Sequence, residues 1–185
     1  MNEDNNKEKS VGNDNLDEAI RSKKSNETVS FMISIIITVV LTVLFNAFIA
    51  SFTMVSGNSM EPTFEDNDIL IAEKLTKSFE RFDIVIAKNE NVFLIKRIIG
   101  LPGETIQIVN NDIYINGAKL DDILTVDMGY SGIASEAITL GEDEYFALGD
   151  NRSISIDSRD ESIGPISKDE ICGHVIFRLF PPKTF

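Results

Sequence analysis

The pattern of apolar and polar residues changes twice along the chain. Residues 1–28 contain many Asn, Asp, Glu and Lys and few large apolar side chains. Burial therefore cannot offset the entropy of ordering them, and a disordered tail is predicted. Residues 29–52 form an uncharged, mostly apolar run, VSFMISIIITVVLTVLFNAFIASF. A helix of this length matches the roughly 30 Å of bilayer hydrocarbon, so we predict one transmembrane helix over residues 29–52.

Two other interpretations of the apolar run are a cleavable signal peptide and a buried core helix. The run is longer than the usual apolar region of a signal peptide and lacks a clear A-x-A exit, and a core helix would carry a polar face. Basic residues at Arg21, Lys23 and Lys24 precede the run, and several acidic residues follow it. The positive-inside rule then predicts a single-pass plasma membrane protein with its N-terminus in the cytoplasm and residues 53–185 outside.

Residues 53–185 show short runs rich in Ile, Val and Phe, separated by Asn, Gly, Pro and Asp. The runs are DILIAEKL, FDIVIAK, VFLIKRIIG, ETIQIVNNDIYINGAKL, EAITLGEDEYFALGD and EICGHVIFRLF. This pattern predicts a mainly β domain, with tight hairpin connections at NND and NG.

Composition limits what this domain can do. A chain of 185 residues that is 43% hydrophobic accommodates one domain and an anchor. The net charge of −13, from 30 acidic and 17 basic residues, argues against nucleic acid as a partner. The single cysteine, Cys172, excludes an intramolecular disulfide and leaves a cysteine-based zinc site without ligands.

The segment SGNSMEPTF, residues 56–64, holds one serine in a sharply bent stretch. Gly57 permits unusual backbone angles and Pro62 fixes its own φ, so the direction of the intervening Ser59 can be set precisely. A tight turn before the first predicted strand accounts for the same pattern. A serine nucleophile needs a base, and His174 is the only histidine. We interpret His174 as a partly buried strand residue, but a Ser59–His174–Asp150 triad stays open.

The other candidate base is Lys96, in the run NVFLIKRIIGLPGE. Leu94 and Ile98 lie on its own face of the predicted strand. Desolvation among aliphatic side chains disfavours the ammonium and lowers the pKa of a lysine. The alternative is a Lys–Arg pair at a strand edge, with both charged ends in water. A third polar segment, ALGDNRSISIDSRDESIGP, is by itself a surface loop tied by Asp–Arg pairs.

Together, these three segments behind an N-terminal anchor resemble the type I signal peptidases, especially the compact single-span kind of Gram-positive bacteria. SGNSMEPT is similar to the family's nucleophile segment, KRIIGLPGE to its base segment and GDNRSISIDSR to its supporting segment. The resemblance implies a curved, mostly antiparallel β-sheet domain, with Ser59 as nucleophile and Lys96 as general base. It implies no metal or organic cofactor.

The resemblance assigns supporting roles to five further residues. Ser155 is expected to hydrogen-bond the lysine amine, Asp157 and Arg159 to hold their loop through a charge pair, and Asp150 to brace Arg97. Gly57 departs from the members that carry a hydroxyl residue two positions before the nucleophile. The backbone N–H of Ser59 is then the main expected oxyanion donor.

The function that follows is cleavage of N-terminal signal peptides from exported preproteins, with small residues such as Ala before the cut and the lipid bilayer as second partner. One alternative is a self-cleaving Ser–Lys protease like the SOS-response repressors, although no DNA-binding module or Ala-Gly bond precedes Ser59. Another is a catalytically silent, membrane-anchored β-domain that binds an envelope partner. Only the enzymes require Ser59 and Lys96.

Overall fold

The computed structural model describes residues 28–44, 50–90, 92–124, 126–180 and 182–184. The chain divides into two compact units, Met1–Asn46 and Ala47–Phe185. In the first unit, residues 28–44 form helix α1. No helix among the described residues combines the length and the apolar character that crossing a bilayer requires. The predicted tail lies outside the described residues, except for residue 28, which is helical.

The predicted transmembrane helix and the structure differ at its C-terminal end. Residues 45–49 lie outside the described residues, and the next residues form strand β1, Ala50–Met54, instead of continuing the helix to residue 52. β1 pairs antiparallel with β2, from Ala50 opposite Glu73 to Met54 opposite Ile69. A short apolar stretch satisfies its backbone equally well in a helix or in a sheet, and periodicity does not distinguish the two.

The described residues of the second unit form twelve strands in two sheets and two 3₁₀ turns, Gly132–Ser135 and Lys168–Glu170. The strands are β1 (Ala50–Met54), β2 (Ile69–Glu73), β3 (Ile84–Asn89), β4 (Val92–Gly100), β5 (Thr105–Val109), β6 (Asp112–Ile115), β7 (Ala118–Lys119), β8 (Ile138–Thr139), β9 (Glu144–Leu148), β10 (Ile166–Ser167), β11 (Ile171–Phe180) and β12 (Lys183–Thr184).

The larger sheet has the order β1-β2-β11-β3-β4-β9-β10, with β12 pairing β11, and the smaller sheet has the order β7-β6-β5-β8. Every pairing is antiparallel. The prediction of a mainly β, mostly antiparallel domain is confirmed. Of the described strands, β1, β10 and β12 lie outside the predicted runs, and β3 extends one residue beyond its run; β10 and β12 are only two residues long.

The two hairpin connections predicted in the smaller sheet are also confirmed. Val109 pairs with Asp112 around Asn110 and Asn111, whose φ angles are 50° and 76°. The next connection, at residues 116–117, again has two consecutive positive φ angles. Asn and Gly tolerate this left-handed region, and consecutive positive φ angles match the twist of a two-residue hairpin.

The position of β4 in the larger sheet sets the environment of its middle residues. β4 lies between β3 and β9, and its first residues, Val92 and Phe93, are exposed. Its later residues Ile98 and Ile99 are fully buried in the hydrophobic core. Lys96 therefore lies where β4 passes from the exposed surface into the core. At this position its amine can reach a cleft but has little contact with bulk water.

Candidate active site

The segment of the candidate nucleophile connects β1 to β2. Its two ends are joined by a hydrogen bond of 2.8 Å from the backbone N–H of Val55 to the carbonyl of Asp68. Met60 and Phe64 are buried in the core cluster beneath the segment, while Ser59 is partly exposed. The apolar anchors hold the turn against the sheet and leave the serine at the surface of a cleft.

The base predicted from the sequence lies directly beside this serine. Lys96 Nζ donates a hydrogen bond of 2.9 Å to Ser59 Oγ, and the lysine is only 3% exposed. Desolvation by burial lowers the pKa of Lys96 below its usual value, and the Arg159 charge acts in the same direction. The carboxylates of Asp157 and Asp150 oppose this shift without reversing it. Burial thus favours the neutral amine, the form that can accept a hydroxyl proton.

The loop that follows β9 fixes the backbone around the serine. Asn151 donates its backbone N–H to the carbonyl of Ser59 at 3.0 Å and its side-chain Nδ2 to the carbonyl of Asn58 at 3.1 Å. A Cβ at Gly149 would lie 2.5 Å from the Ser59 carbonyl oxygen and 2.2 Å from Ser155 Oγ, so only glycine fits there. The sequence analysis did not identify Gly149 or Asn151, although both belong to the GDN triplet of the supporting segment.

The structure does not form the hydrogen bond expected between Ser155 and Lys96. Ser155 Oγ is buried and has no hydrogen-bond partner among the described residues. The backbone N–H of Ser155 donates to the carbonyl of Asn151 at 3.0 Å, and its side chain packs against Gly149. The turn that brings Asn151 to the nucleophile segment therefore also sets where Ser155 points.

Asp157 and Arg159 form a fully buried ion pair. Arg159 Nε lies 2.8 Å from Asp157 Oδ1, and the other carboxylate oxygen accepts hydrogen bonds from the guanidinium and from the backbone N–H of Gly149. The Arg159 guanidinium also donates to the carbonyls of Met128 at 2.6 Å and Tyr130 at 3.0 Å. These bonds join the supporting loop to the neighbouring loop of the domain.

A second ion pair joins the predicted residues Arg97 and Asp150. Arg97 Nε donates to Asp150 Oδ1 at 2.8 Å, and the Asp150 carboxylate also accepts from the hydroxyl of Thr63. A third pair, which the sequence analysis did not identify, consists of Arg152 and Asp122, whose closest atoms are 2.6 Å apart. Arg152 belongs to the supporting segment and its side chain is fully buried, whereas Asp122 has no sequence pattern that distinguishes it from other acidic residues.

The members of the alternative triad do not come together. The His174 ring lies between the carboxylates of Glu73 at 3.6 Å and Asp83 at 3.5 Å. Among the described residues, the side chain that hydrogen-bonds Ser59 Oγ is Lys96, and the aspartate of the triad is paired with arginine. The described residues also contain no cluster of three His, Cys, Asp or Glu side chains placed to hold a metal ion.

An apolar cavity of about 680 Å³ opens beside the Ser59–Lys96 pair. Its walls come from β1 and the first half of β4, with Ser59 and Lys96 among the lining residues. Cys172 also lines the cavity; its thiol donates to the carbonyl of Ile86, and burial raises the pKa of the thiol. Because β1 is an edge strand, this cavity can accept an extended peptide beside a sheet edge.

Comparison with known proteins covers most of the chain. The family model described as signal peptidase, peptidase S26, matches residues 28–180. Signal peptidase I of Bacillus amyloliquefaciens is 35% identical over 179 residues, covering 87% of this chain and 92% of that protein. Signal peptidase IB of Staphylococcus aureus (strain COL) is 32% identical over 181 residues, covering 86% and 93%.

Among solved structures, a signal peptidase I from Enterococcus faecalis has a TM-score of 0.44 and 30% sequence identity, and covers 52% of this chain and 96% of that one. The family model extends from the N-terminal helix through β11, the last long strand of the sheet. The chain therefore belongs to the signal peptidase family, peptidase S26, and is a serine endopeptidase of signal-peptide processing.

Proposed function

We propose that the protein cleaves signal peptides with Ser59 as nucleophile and Lys96 as general base. The observation that carries this proposal is the 2.9 Å contact between Ser59 Oγ and the buried Lys96 Nζ. Serine is a weak nucleophile at its free pKa and needs an adjacent base. A lysine whose pKa is lowered by burial loses its proton more readily and can supply this base without a histidine.

In the acylation step, Ser59 Oγ attacks the scissile carbonyl while its proton moves to Lys96 Nζ. The resulting oxyanion lies beside the backbone N–H of Ser59. When the tetrahedral intermediate collapses, the C–N bond breaks and the leaving amine takes the proton from Lys96. A water molecule then attacks the ester, with the same amine as base, and releases the peptide acid and free serine.

The substrates in this proposal are exported preproteins with small residues, such as Ala, before the cut. The segment that precedes the cut lies extended in the apolar cavity beside β1. Hydrogen bonds between the main chain of the substrate and a sheet edge provide affinity that does not depend on the substrate sequence. Pockets for every second side chain of the extended substrate provide the specificity. Two supporting ion pairs hold the catalytic side chains in position relative to each other. These pairs are Asp157–Arg159 and Arg97–Asp150.

The test of the proposed function compares the wild-type protein with Ser59→Ala. Purified full-length protein in detergent is incubated with a preprotein, and the new N-terminus is sequenced. We expect cleavage after a small residue by the wild type and loss of at least about 10³-fold in rate for Ser59→Ala, because the nucleophile is removed. Equal cleavage by both proteins would exclude Ser59 as nucleophile. Binding of the preprotein without any cleavage would support the catalytically silent alternative.

The bilayer is the second proposed partner, with the N-terminal tail in the cytoplasm and the β-domain outside. The support is the uncharged apolar run after the basic cluster at residues 21–24. Protease added to intact, wall-stripped cells should digest the domain after residue 52 and spare an N-terminal tag. Digestion of the tag with an untouched C-terminal domain would reverse this orientation.

A further inference from the structure

The backbone of the nucleophile turn is held from both sides, and the two sides use different residues. On the C-terminal side, Asn151 bonds the carbonyls of Asn58 and Ser59. On the N-terminal side, the backbone N–H of Gly57 donates to Asp66 Oδ1 at 2.8 Å. The second Asp66 oxygen accepts from the side chain of the next residue at 2.9 Å, which orients the carboxylate.

Gly57 occupies a conformation that needs such a contact. Its φ is +87°, and no atom lies within 4 Å of the position that a Cβ would take. The residue is exposed, so packing does not hold its peptide unit in place. A glycine in open space has the largest backbone freedom of any residue. The bond to Asp66 restricts this freedom on the N-terminal side of Gly57, and the bonds from Asn151 and the Glu61 backbone N–H to the Asn58 carbonyl restrict it on the C-terminal side.

The orientation of this peptide segment matters because of the backbone N–H of Ser59. Within the described part of the chain, this N–H donates to no other protein atom. It lies two residues after Gly57, on the serine that contacts Lys96, and is free to bond the oxygen that becomes negative during attack. An oxyanion donor contributes to the rate only when it is already aimed at that oxygen. Gly57 has no side chain to add a second donor, and its own N–H is engaged by Asp66.

We propose that Asp66 is a positioning residue for catalysis: it fixes the Ser56–Gly57 peptide at the start of the nucleophile turn, and it acts together with Asn151, which holds the carbonyl of the Asn58–Ser59 peptide that carries the Ser59 N–H. This proposal rests on the proposed role of Ser59 as nucleophile. Asp66 touches neither substrate nor the reacting atoms. The base of the loop does not depend on it, because Val55 and Asp68 join the two ends independently. The carboxylate therefore acts on the geometry of the turn and contributes little to the folding of the domain.

The experiment measures kcat and KM of full-length protein in detergent with a peptide substrate for Asp66→Ala, Asp66→Asn and Glu65→Ala. Asp66→Asn keeps an oxygen acceptor for the Gly57 N–H. Glu65→Ala is the matched control, since it removes an exposed carboxylate one residue earlier whose side chain makes no hydrogen bond to the described residues. A peptide aldehyde ending in alaninal adds a second measurement: Ser59 Oγ bonds to its carbonyl carbon, the serine proton moves to Lys96, and the carbonyl oxygen becomes the oxyanion.

For Asp66→Ala we expect kcat to fall about tenfold, the scale of one hydrogen bond to a charged group, with KM within about twofold. Binding of the aldehyde should weaken by about the same factor as kcat, because both depend on the oxyanion. Asp66→Asn and Glu65→Ala should stay within about twofold of the wild type in every constant. Amide hydrogen exchange should show that Gly57 loses protection in Asp66→Ala alone.

Three results would overturn the proposal. The first is an Asp66→Ala variant with the kinetics of Glu65→Ala. The second is an Asp66→Asn variant as impaired as Asp66→Ala, which would make charge the relevant property. The third is a loss of Gly57 protection without any change in kcat. A failure of the serine nucleophile itself is seen separately, as an active Ser59→Ala variant.

Discussion

Replacing Lys96 by arginine should remove nearly all cleavage activity, although the positive charge is kept. A guanidinium stays protonated at any working pH, so it cannot take the proton of Ser59. Lys96→Ala should have the same effect. We expect losses of at least about 10³-fold in kcat for both variants, measured with a preprotein under single-turnover conditions. His174→Ala is the matched control and should keep most activity, because its ring contacts Glu73 and Asp83 instead of Ser59.

The pH dependence of the wild type tests the same role. Burial lowers the pKa of Lys96, so the neutral amine forms at lower pH than for an exposed lysine. The ammonium cannot act as a base, and kcat should therefore rise with pH through this lowered pKa and reach a plateau above it. A folded Lys96→Arg variant that cleaves at near the wild-type rate would show that the residue acts as a charge. A rate that falls as pH rises through this range would also contradict the proposal.

Arg159→Ala should cause the largest loss of stability among single substitutions in the supporting loop. It leaves the fully buried carboxylate of Asp157 without its ion-pair partner and removes the guanidinium donor to the carbonyls of Met128 and Tyr130. Breaking a buried pair by removing one partner typically costs about 3–5 kcal/mol. Urea unfolding of the full-length protein in detergent measures the change. Arg81→Ala, which breaks a partly exposed pair with Glu104, is the control and should cost less.

The same substitution should also change the pH profile of any activity that remains. The Arg159 charge lowers the pKa of Lys96, whereas Asp157 raises it. Removing the arginine leaves the carboxylate unopposed, so the rise of kcat should move to higher pH. An Arg159→Ala protein with wild-type stability would contradict the structural role. An unchanged pH profile would show that Arg159 does not contribute to the electrostatics at Lys96.

Local sequence pattern was sufficient for most of the strands. Alternating Ile and Val residues between turn residues identify β-structure because side chains in a strand alternate between two faces. The Asn and Gly residues of the two hairpins identify the turns, since few other residues tolerate consecutive positive φ angles. The aliphatic neighbours of Lys96 likewise predicted its burial, because strand neighbours share one environment. These properties depend on residues that are close in sequence.

The strand at residues 50–52, which the sequence pattern assigns to the transmembrane helix, depended on tertiary structure. The sequence VSFMISIIITVVLTVLFNAFIASF is uncharged and mostly apolar throughout and contains no clear signal for where a helix ends. β1 exists because β2, from Ile69 to Glu73, offers it a ladder of backbone hydrogen bonds. A partner strand that lies about twenty residues away cannot be inferred from local periodicity.

The sequence by itself determined the mainly β fold and, through resemblance, the family and its candidate nucleophile and base. Only the tertiary structure decided that Lys96 Nζ lies 2.9 Å from Ser59 Oγ, that Gly149 leaves room for the Ser59 carbonyl, and that Ser155 Oγ makes no hydrogen bond to the amine. The physical reason is how far apart in sequence the residues that determine each property lie. Burial tendency and turn geometry follow from neighbours along the chain, whereas contacts between side chains on separate loops depend on how the β4 strand and both loops pack together.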